Sequence, residues 1–447
     1  MALDSDSDQE LDYGTTEMVK LAPVEHTTEL LVVGSHGGSM SEWEAGISLA
    51  KAIMGAGSFA LPWAFLQTGY VVGPILLIVI MILSVYSLQL LVICARLSGK
   101  QSYVDVARSI FGPTGATMTY TASVSASLGV CGSYLVFIAA NMQSLLSSND
   151  GSDVLTEDAI SQTSLIVMTL PLVVLLSSIR DMNLFAMASL VGNISVILGM
   201  VVVLVYGFWN YDTEATKEPK NLVAVASFDT MPLAFGSIGY LFLVHFLSLP
   251  IESAMTKPEH FSSVASKTFA ACAIASGSFG VLGYMLFGDE TEQIVLLNIH
   301  GSYFVSAVKL LLCIDLLLTY PVVMRPTIEI VESSLCHIKT RTHDSSLSQH
   351  LLVCLLLGIV AAAGGILVPG FGLLSGLVGG VSQTFLAFVM PPLMLTKQRF
   401  MARRVRGEDD ISMKNLLLNK EVGLVGLGVV LILWTLITTW KEMIGDL

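Results

Sequence analysis

The hydrophobicity of this chain comes in long blocks, and most blocks have the length a bilayer demands. A helix that crosses the hydrocarbon core needs roughly 20 mainly apolar residues. By that measure the pattern predicts eleven spans, at about 44–67, 70–96, 115–146, 162–179, 183–209, 231–256, 265–287, 303–332, 348–367, 371–396 and 422–440. Residues 1–42 are polar and acidic, with the Gly-rich punctuation "GSHGGSM", and predict a disordered tail. Between the second and third spans, "SYVDVARSIF" (102–111) has the amphipathic pattern of a piece lying along the interface. The expected organisation is a disordered acidic cytosolic tail (1–42), a transmembrane domain (43–440) and a short non-cytosolic C-terminus (441–447).

Two of these blocks are interrupted where a continuous helix would not be. "MGAGSFALPW" (54–63) places two glycines and a proline in the first span, although Gly costs about 1 kcal/mol and Pro about 3 kcal/mol relative to Ala in a helix interior. Both residues are commoner in membrane helices than in soluble ones, so close helix packing is one reading. The sixth span, "MPLAFGSIGYLFLVHFLSLPIESAM" (231–255), repeats the layout: an apolar run, an interruption, then Leu249-Pro250 to match Leu61-Pro62. Five spans separate the two. Broken helices at corresponding positions are what a five-plus-five inverted repeat produces. Free backbone groups at mid-membrane are tolerated only where they line a cavity, so the breaks read as binding equipment.

Composition agrees on the solvent. The 447 residues are 53% hydrophobic and 13% charged, where a soluble chain carries about 25% charged residues. The net charge of −13 is concentrated in the tail acids and short loops and carries no implication of nucleic acid. No basic region follows Met1, so no cleavable signal peptide is indicated and the first span directs insertion. With the N-terminus in the cytosol, only Lys217, Lys220 and Lys441 of the 22 basic residues fall on the outer side, while Lys51 and Lys309 lie within spans. That asymmetry is the positive-inside signature. The six cysteines have no metal-like or C-x-x-C spacing and read as small buried hydrophobes. Asn193-Ile194-Ser195 is the only glycosylation-type triplet, and it lies inside a span. Absent glycans and disulfides favour a vacuolar or lysosomal type of membrane over the cell surface.

Four blocks carry a family resemblance: "LAKAIMGAGSFALPWAF" (49–65), "GYMLFGDETEQIVLLNI" (283–299), "LLLTYPVVMRPTIEIVE" (316–332) and "VPGFGLLSGLVGGVSQTFLAFVMPPL" (368–393). In this order and among eleven spans, they resemble the amino acid/auxin permease family, and within it the vacuolar and proton-coupled amino acid transporters. The resemblance covers about residues 42–440. It implies the all-α, eleven-span version of the five-plus-five fold shared with the bacterial leucine transporter. It also implies amino acid transport driven by protons, or by sodium in some branches.

The residues can be read individually beside that resemblance. Gly55, Ala56, Gly57 and Ser58 form the expected unwound segment, where free N–H groups at a helix start suit an α-carboxylate and glycine lets a ligand approach the backbone. Free carbonyls of the two breaks suit an α-ammonium. Tyr134, Ser133 and Asn141 are candidate pocket walls, and each reads equally well as a helix-packing residue. His245, with Phe246 beside it, falls where the sixth span should unwind. A satisfied packing histidine is the bland reading, but ionisable groups within spans usually mark pathways or proton relays. Asp315 is central in the eighth span, and Thr319 follows one turn later on the same face. Together with span-1 carbonyls they could hold a proton or a cation at the place where the resemblance puts a sodium site in sodium-driven relatives. Lys51 either pairs with Asp315 or snorkels to the cytosolic interface, and the latter is the expectation. Glu252 and the Arg325/Glu329 pair read as gate or anchoring charges. His26, His36, His260, His300, His337, His343 and His350 fall in tails or loops without ligand spacing and are expected to be solvated.

The resulting expectation is a secondary active transporter for small neutral amino acids, coupled to protons and working by alternating access. Sodium coupling is the alternative within the class, and an amino-acid sensor that binds without transporting is the alternative outside it. No ring of like charges or repeated filter suggests a channel. No nucleophile–base pair, H-E-x-x-H or phosphate loop suggests an enzyme, and no cofactor or metal is called for. The partners implied are the amino acid, the coupling ion and the lipid bilayer.

Overall fold

The first apolar block breaks where its glycines fall. Helix α1 (Glu42–Ile53) starts from a capping box in which Ser41 Oγ accepts from the Glu44 N–H while the Glu44 carboxylate accepts from the Ser41 N–H. Met54 and Gly55 are extended, Ala56–Ala60 make a tight 3-10 turn, and α2 (Leu61–Thr68) resumes with Pro62 in its first turn, where a missing N–H costs nothing. The two pieces meet at a bend of 43°. In the sixth block α7 (Met231–Phe242) stops at Leu243 and Val244, and α8 (His245–Ala254) starts at the histidine. Both expected breaks are therefore present.

The computed structural model describes residues 38–147, 161–179, 182–209, 222–226, 228–300, 302–336, 347–368, 370–405 and 420–445. The remaining helices are α3 (Val72–Ser98), α4 (Tyr103–Ser147), α5 (Gln162–Ser177), α6 (Met182–Trp209), α9 (Phe261–Phe287), α10 (Tyr303–Cys336), α11 (Leu347–Leu367), α12 (Phe371–Leu377), α13 (Met390–Val405) and α14 (Lys420–Gly445). Helix α4 kinks at Gly112, whose φ of +71° few other residues would adopt, immediately before Pro113. The kink separates residues 103–111 from the long remainder of α4. No strand forms among the described residues; Met40 and Met255 make an isolated bridge.

Nine described helices are long and apolar enough to cross a membrane, and the bent α1–α2 pair makes a tenth span. The eleventh expected span is α5, which has 16 residues. At 1.5 Å per residue it is about 24 Å long, short of the ~30 Å hydrocarbon core. The tail over 1–37 and the last two residues, 446–447, lie outside the described residues. Gly38–Ser41 are held: the Gly38 N–H donates to Met255 O at 3.0 Å, Met40 N–H to Ala254 O at 2.9 Å and Thr256 N–H to Met40 O at 2.8 Å.

Backbones approach closely at the centre. A Cβ on Gly236 of α7 would lie 2.0 Å from Gly376 O, and one on Gly379 would lie 2.0 Å from Gly236 O. Small residues permit such contact, which in lipid replaces the hydrophobic drive as the basis of helix association. Apolar side chains such as Ile75, Ile78 and Val79 of α3 or Leu352, Leu356 and Ile359 of α11 remain exposed. On a membrane protein these are the lipid-facing positions.

Candidate substrate and coupling sites

The two breaks touch. Ala56, Gly57 and Ser58 are buried, and the Ser58 hydroxyl has no hydrogen-bond partner among the described residues. A Cβ on Gly57 would meet the Tyr240 ring at 2.7 Å and Leu241 at 3.0 Å, so Gly57 admits α7 rather than a ligand. Gly55 differs: its Cβ would find no heavy atom within 4 Å. Of the two glycines, Gly55 is the one that borders open space. On the side of the break away from Glu42, rings from five elements pack together. Phe59 lies 5.9 Å from Phe137 and 6.0 Å from Phe279, and Phe371 lies 5.6 Å from Phe137 and 6.3 Å from Tyr240, centroid to centroid. The sequence reading had not picked out these rings, because aromatics scattered over five spans carry no local signal.

His245 is buried, neither ring nitrogen has a hydrogen-bond partner among the described residues, and Phe246 beside it is half-buried. Tyr134 is buried on α4. The other two candidate walls spend bonds on their own helix, with Ser133 Oγ donating to Gly129 O at 2.9 Å and Asn141 Nδ2 to Phe137 O at 2.9 Å.

The coupling-ion candidates are brought together. Lys51 Nζ donates to both Asp315 carboxylate oxygens at 2.7 Å, and the two side chains are 9% and 2% exposed. Thr319 Oγ1 donates to Asp315 O at 2.8 Å and approaches Oδ1 at 3.3 Å. The snorkelling expected of Lys51 is thus corrected: the ammonium turns inward to its counter-ion. Gly192 of α6 closes the third side, since a Cβ there would fall 1.9 Å from Asp315 Oδ1 and 2.3 Å from Lys51 Nζ. Nothing in the sequence marks Gly192 apart from other span glycines.

Further charges are placed around this core. Arg96 binds Glu252 through Nε at 3.1 Å and Nη2 at 2.9 Å, and Nη2 also donates to Pro258 O at 2.8 Å, tying α3 to the end of α8. Arg325 pairs with Glu329 at 2.7 Å, as the spacing predicted. The second intraspan lysine, Lys309, is buried and donates to Ser144 Oγ at 2.8 Å and to Ile299 O at 2.9 Å. Of the histidines expected to be solvated, His260 is exposed as expected and contacts Glu42 at 2.6 Å, while His350 is buried instead, at the start of α11 with Glu332 at 2.7 Å. His26, His36, His337 and His343 lie outside the described residues. No group of three or more candidate metal ligands occurs among the described residues.

Two helices broken at mid-membrane and packed on each other, with a buried charge pair beside one break, define the class of transporter built on the leucine-transporter fold. The fold is shared with a solved structure of MhsT in complex with L-phenylalanine, at a TM-score of 0.53 and 13% identity over 91% of this chain and 100% of that one. Residues 38–438 match the family described as transmembrane amino acid transporter protein, and the chain belongs to that family. Its relatives include the amino acid transporter ANT1 of Arabidopsis thaliana, 28% identical over 77% of this chain and 82% of that protein. Another is vacuolar amino acid transporter 4 of Saccharomyces cerevisiae, 25% identical over 68% of this chain and 42% of that protein. The protein is a multi-pass membrane transporter of amino acids, not an enzyme.

Proposed function

We propose that the protein moves small neutral amino acids by alternating access and couples that movement to protons through the Lys51–Asp315 pair. The pair is the observation that carries the reading. It joins the inner half of the broken first span to α10, beside the break itself. A tethered ammonium at 2.7 Å from both carboxylate oxygens occupies the place a free cation would take, which disfavours sodium as the driving ion. Protonating Asp315 cancels its charge and strands the Lys51 ammonium in low dielectric, a state that costs several kcal/mol, about 3–5. Separation of α1 from α10 relieves that cost by letting Lys51 reach water. Substrate backbone groups bind at the N–H groups of Gly55, Ala56 and Gly57, the Ser58 N–H being spent on Gly55 O at 3.0 Å, and at the carbonyls of the two breaks.

The asymmetry of basic residues supports a cytosolic N-terminus and eleven spans with α5 included, which puts the C-terminus on the far side. The vacuolar relative and the lack of a sequon outside the spans support an internal, vacuole-like membrane. The test is uptake of labelled amino acids into proteoliposomes with pH and Na⁺ gradients imposed separately. Concentrative uptake under the pH gradient alone is expected. Uptake that follows only Na⁺ would replace protons with sodium, and binding without movement under any gradient would make the protein a sensor.

A further inference from the structure

The tenth expected span carries a feature the mechanism above does not use. From Val378 to Gln383 and again from Phe385 to Val389 it winds as a π-helix, a rare geometry that often marks functional positions. The widened turns free carbonyls for outside donors: the Tyr103 hydroxyl donates to Leu386 O and Ser87 Oγ to Ala387 O. Within this segment Gln383 is 1% exposed, and its Oε1 accepts no hydrogen bond among the described residues. An orphaned buried acceptor is costly and calls for an explanation.

Its depth follows from the register of α3. Ser84 Oγ donates to Phe242 O at 2.6 Å, and Arg96 further on holds Glu252, so α3 runs parallel to α7–α8. Ser87 meets Ala387, and Gln398 Nε2 reaches Cys94 O at 3.4 Å, so the π-helical span runs parallel to α3 as well. Ala387 is therefore level with Ser87. Gln383, almost one wide turn earlier, is level with Ser84 and hence with Phe242, the last residue before the break in the sixth span. Its face is fixed too. Gly379, four residues before Gln383 and nearly above it, is the residue that packs against the Tyr240 backbone, with a would-be Cβ 2.3 Å from Tyr240 N. Gln383 thus lies beside the second break, on the side of α7. At the same depth, the His245 ring lies beside the Ser84 backbone with both nitrogens outside hydrogen-bonding geometry.

We propose that Gln383, with His245, sets substrate specificity by receiving an uncharged polar side chain, the carboxamide of asparagine or glutamine, at the break of the sixth span. The inference rests on the transport reading above, in which backbone groups hold the α-carboxylate and α-ammonium and leave the side chain unread. A carboxamide brings both a donor and an acceptor. Its N–H can satisfy Gln383 Oε1, and its oxygen can accept a hydrogen bond from whichever imidazole nitrogen carries the hydrogen. An aliphatic side chain of the same shape leaves those groups unpaired, and a fixed charge has no counter-ion here.

Competition against labelled alanine exchange in proteoliposomes tests this, with asparagine and its near-isostere leucine as competitors. Asparagine should compete at least about tenfold better than leucine in the wild type, the discrimination expected when a polar site is left unsatisfied. In Gln383→Leu the asparagine-to-leucine ratio should fall toward one. The ratio is the readout because a general loss of packing or transport lowers both competitors alike. A wild-type ratio at or below one, or a ratio that Gln383→Leu does not move, overturns the assignment. If Gln383→Leu gives no folded protein, the wild-type ratio and that of His245→Phe decide it in the same way. Alanine exchange with no asparagine preference sinks Gln383 alone, whereas no movement of any amino acid sinks the transport reading with it.

Discussion

Removing either Lys51 or Asp315 alone should harm the fold, and removing both should undo most of the damage. The Asp315 side chain is 2% exposed, and apart from Lys51 it keeps only the 3.3 Å approach of Thr319 Oγ1. Lys51→Met leaves that carboxylate charged and uncompensated, which for a buried pair costs about 3–5 kcal/mol. Asp315→Leu strands the ammonium in turn, too deep for its stem to reach water, at a comparable cost. The double variant Lys51→Met/Asp315→Leu removes both charges and fills the space with apolar atoms. It should return to within about 1 kcal/mol of the wild type, because such replacements are often neutral or stabilising. Thermal unfolding of the purified protein in detergent measures all four corners of the cycle, read as a coupling energy. Acidification should recover part of the Lys51→Met loss by protonating the stranded carboxylate. The same double variant should exchange substrate between equal pools yet fail to concentrate it under a pH gradient. A double variant as unstable as Lys51→Met refutes the pairing energetics. One that still concentrates substrate under pH alone removes the pair from coupling.

Three other outcomes follow from distances in the structure. Gly57→Val forces a side chain into the Tyr240 ring, whose Cδ1 lies 2.7 Å from the would-be Cβ. It should lower the unfolding midpoint by about 1–3 kcal/mol of stability, while Gly55→Ala should leave the midpoint alone and weaken substrate binding. Equal effects of the two on stability would show that both glycines are packing residues. Gly38→Val sets a Cβ 2.0 Å from Ala254 O and should break the bridge between residues 38–40 and 254–256. Labelling of Met54→Cys from the N-terminal side should then rise, and unchanged labelling would show that the bridge does not hold the inner ends of spans one and six together. A tag before Met1 should be accessible from the cytosol and one after Leu447 should not; both on one side would refute eleven spans.

What could be read from the chain was whatever acts locally. The break in span one was legible because Gly55 and Gly57 alter backbone preference where they stand, and that in span six only through the matching layout, since Pro250 lies within α8, past Leu243 and Val244. The kink at Gly112-Pro113 and the pairing of Arg325 with Glu329 are equally local. The contacts that failed to show are those that need a partner from another span. Gln383 looks like any polar residue of a membrane helix until the register with α3 sets it beside a break. His350 falls within the expected span 348–367, and what the sequence could not show is its partner on another helix, Glu332 of α10.

Lys51 shows the same limit from the other side, because there the local argument pointed the wrong way. Snorkelling is the usual fate of a lysine near a span end, and it competes with pairing only if water is within reach. Lys51 stands nine residues beyond Glu42, the first residue of α1, or about 14 Å along the helix axis at 1.5 Å per residue. That is farther than its stem can extend. An ammonium at that depth must find an anion, and Asp315, central in another span, is an anion under the same constraint. Each charge alone would be among the most expensive residues in the protein. As a pair they are satisfied only while α1 and α10 stay together, with Gly192 leaving them room. Under the proposed coupling, a contact that holds in one arrangement of two helices, and that one proton would undo, is a two-state element between the substrate break and the driving ion.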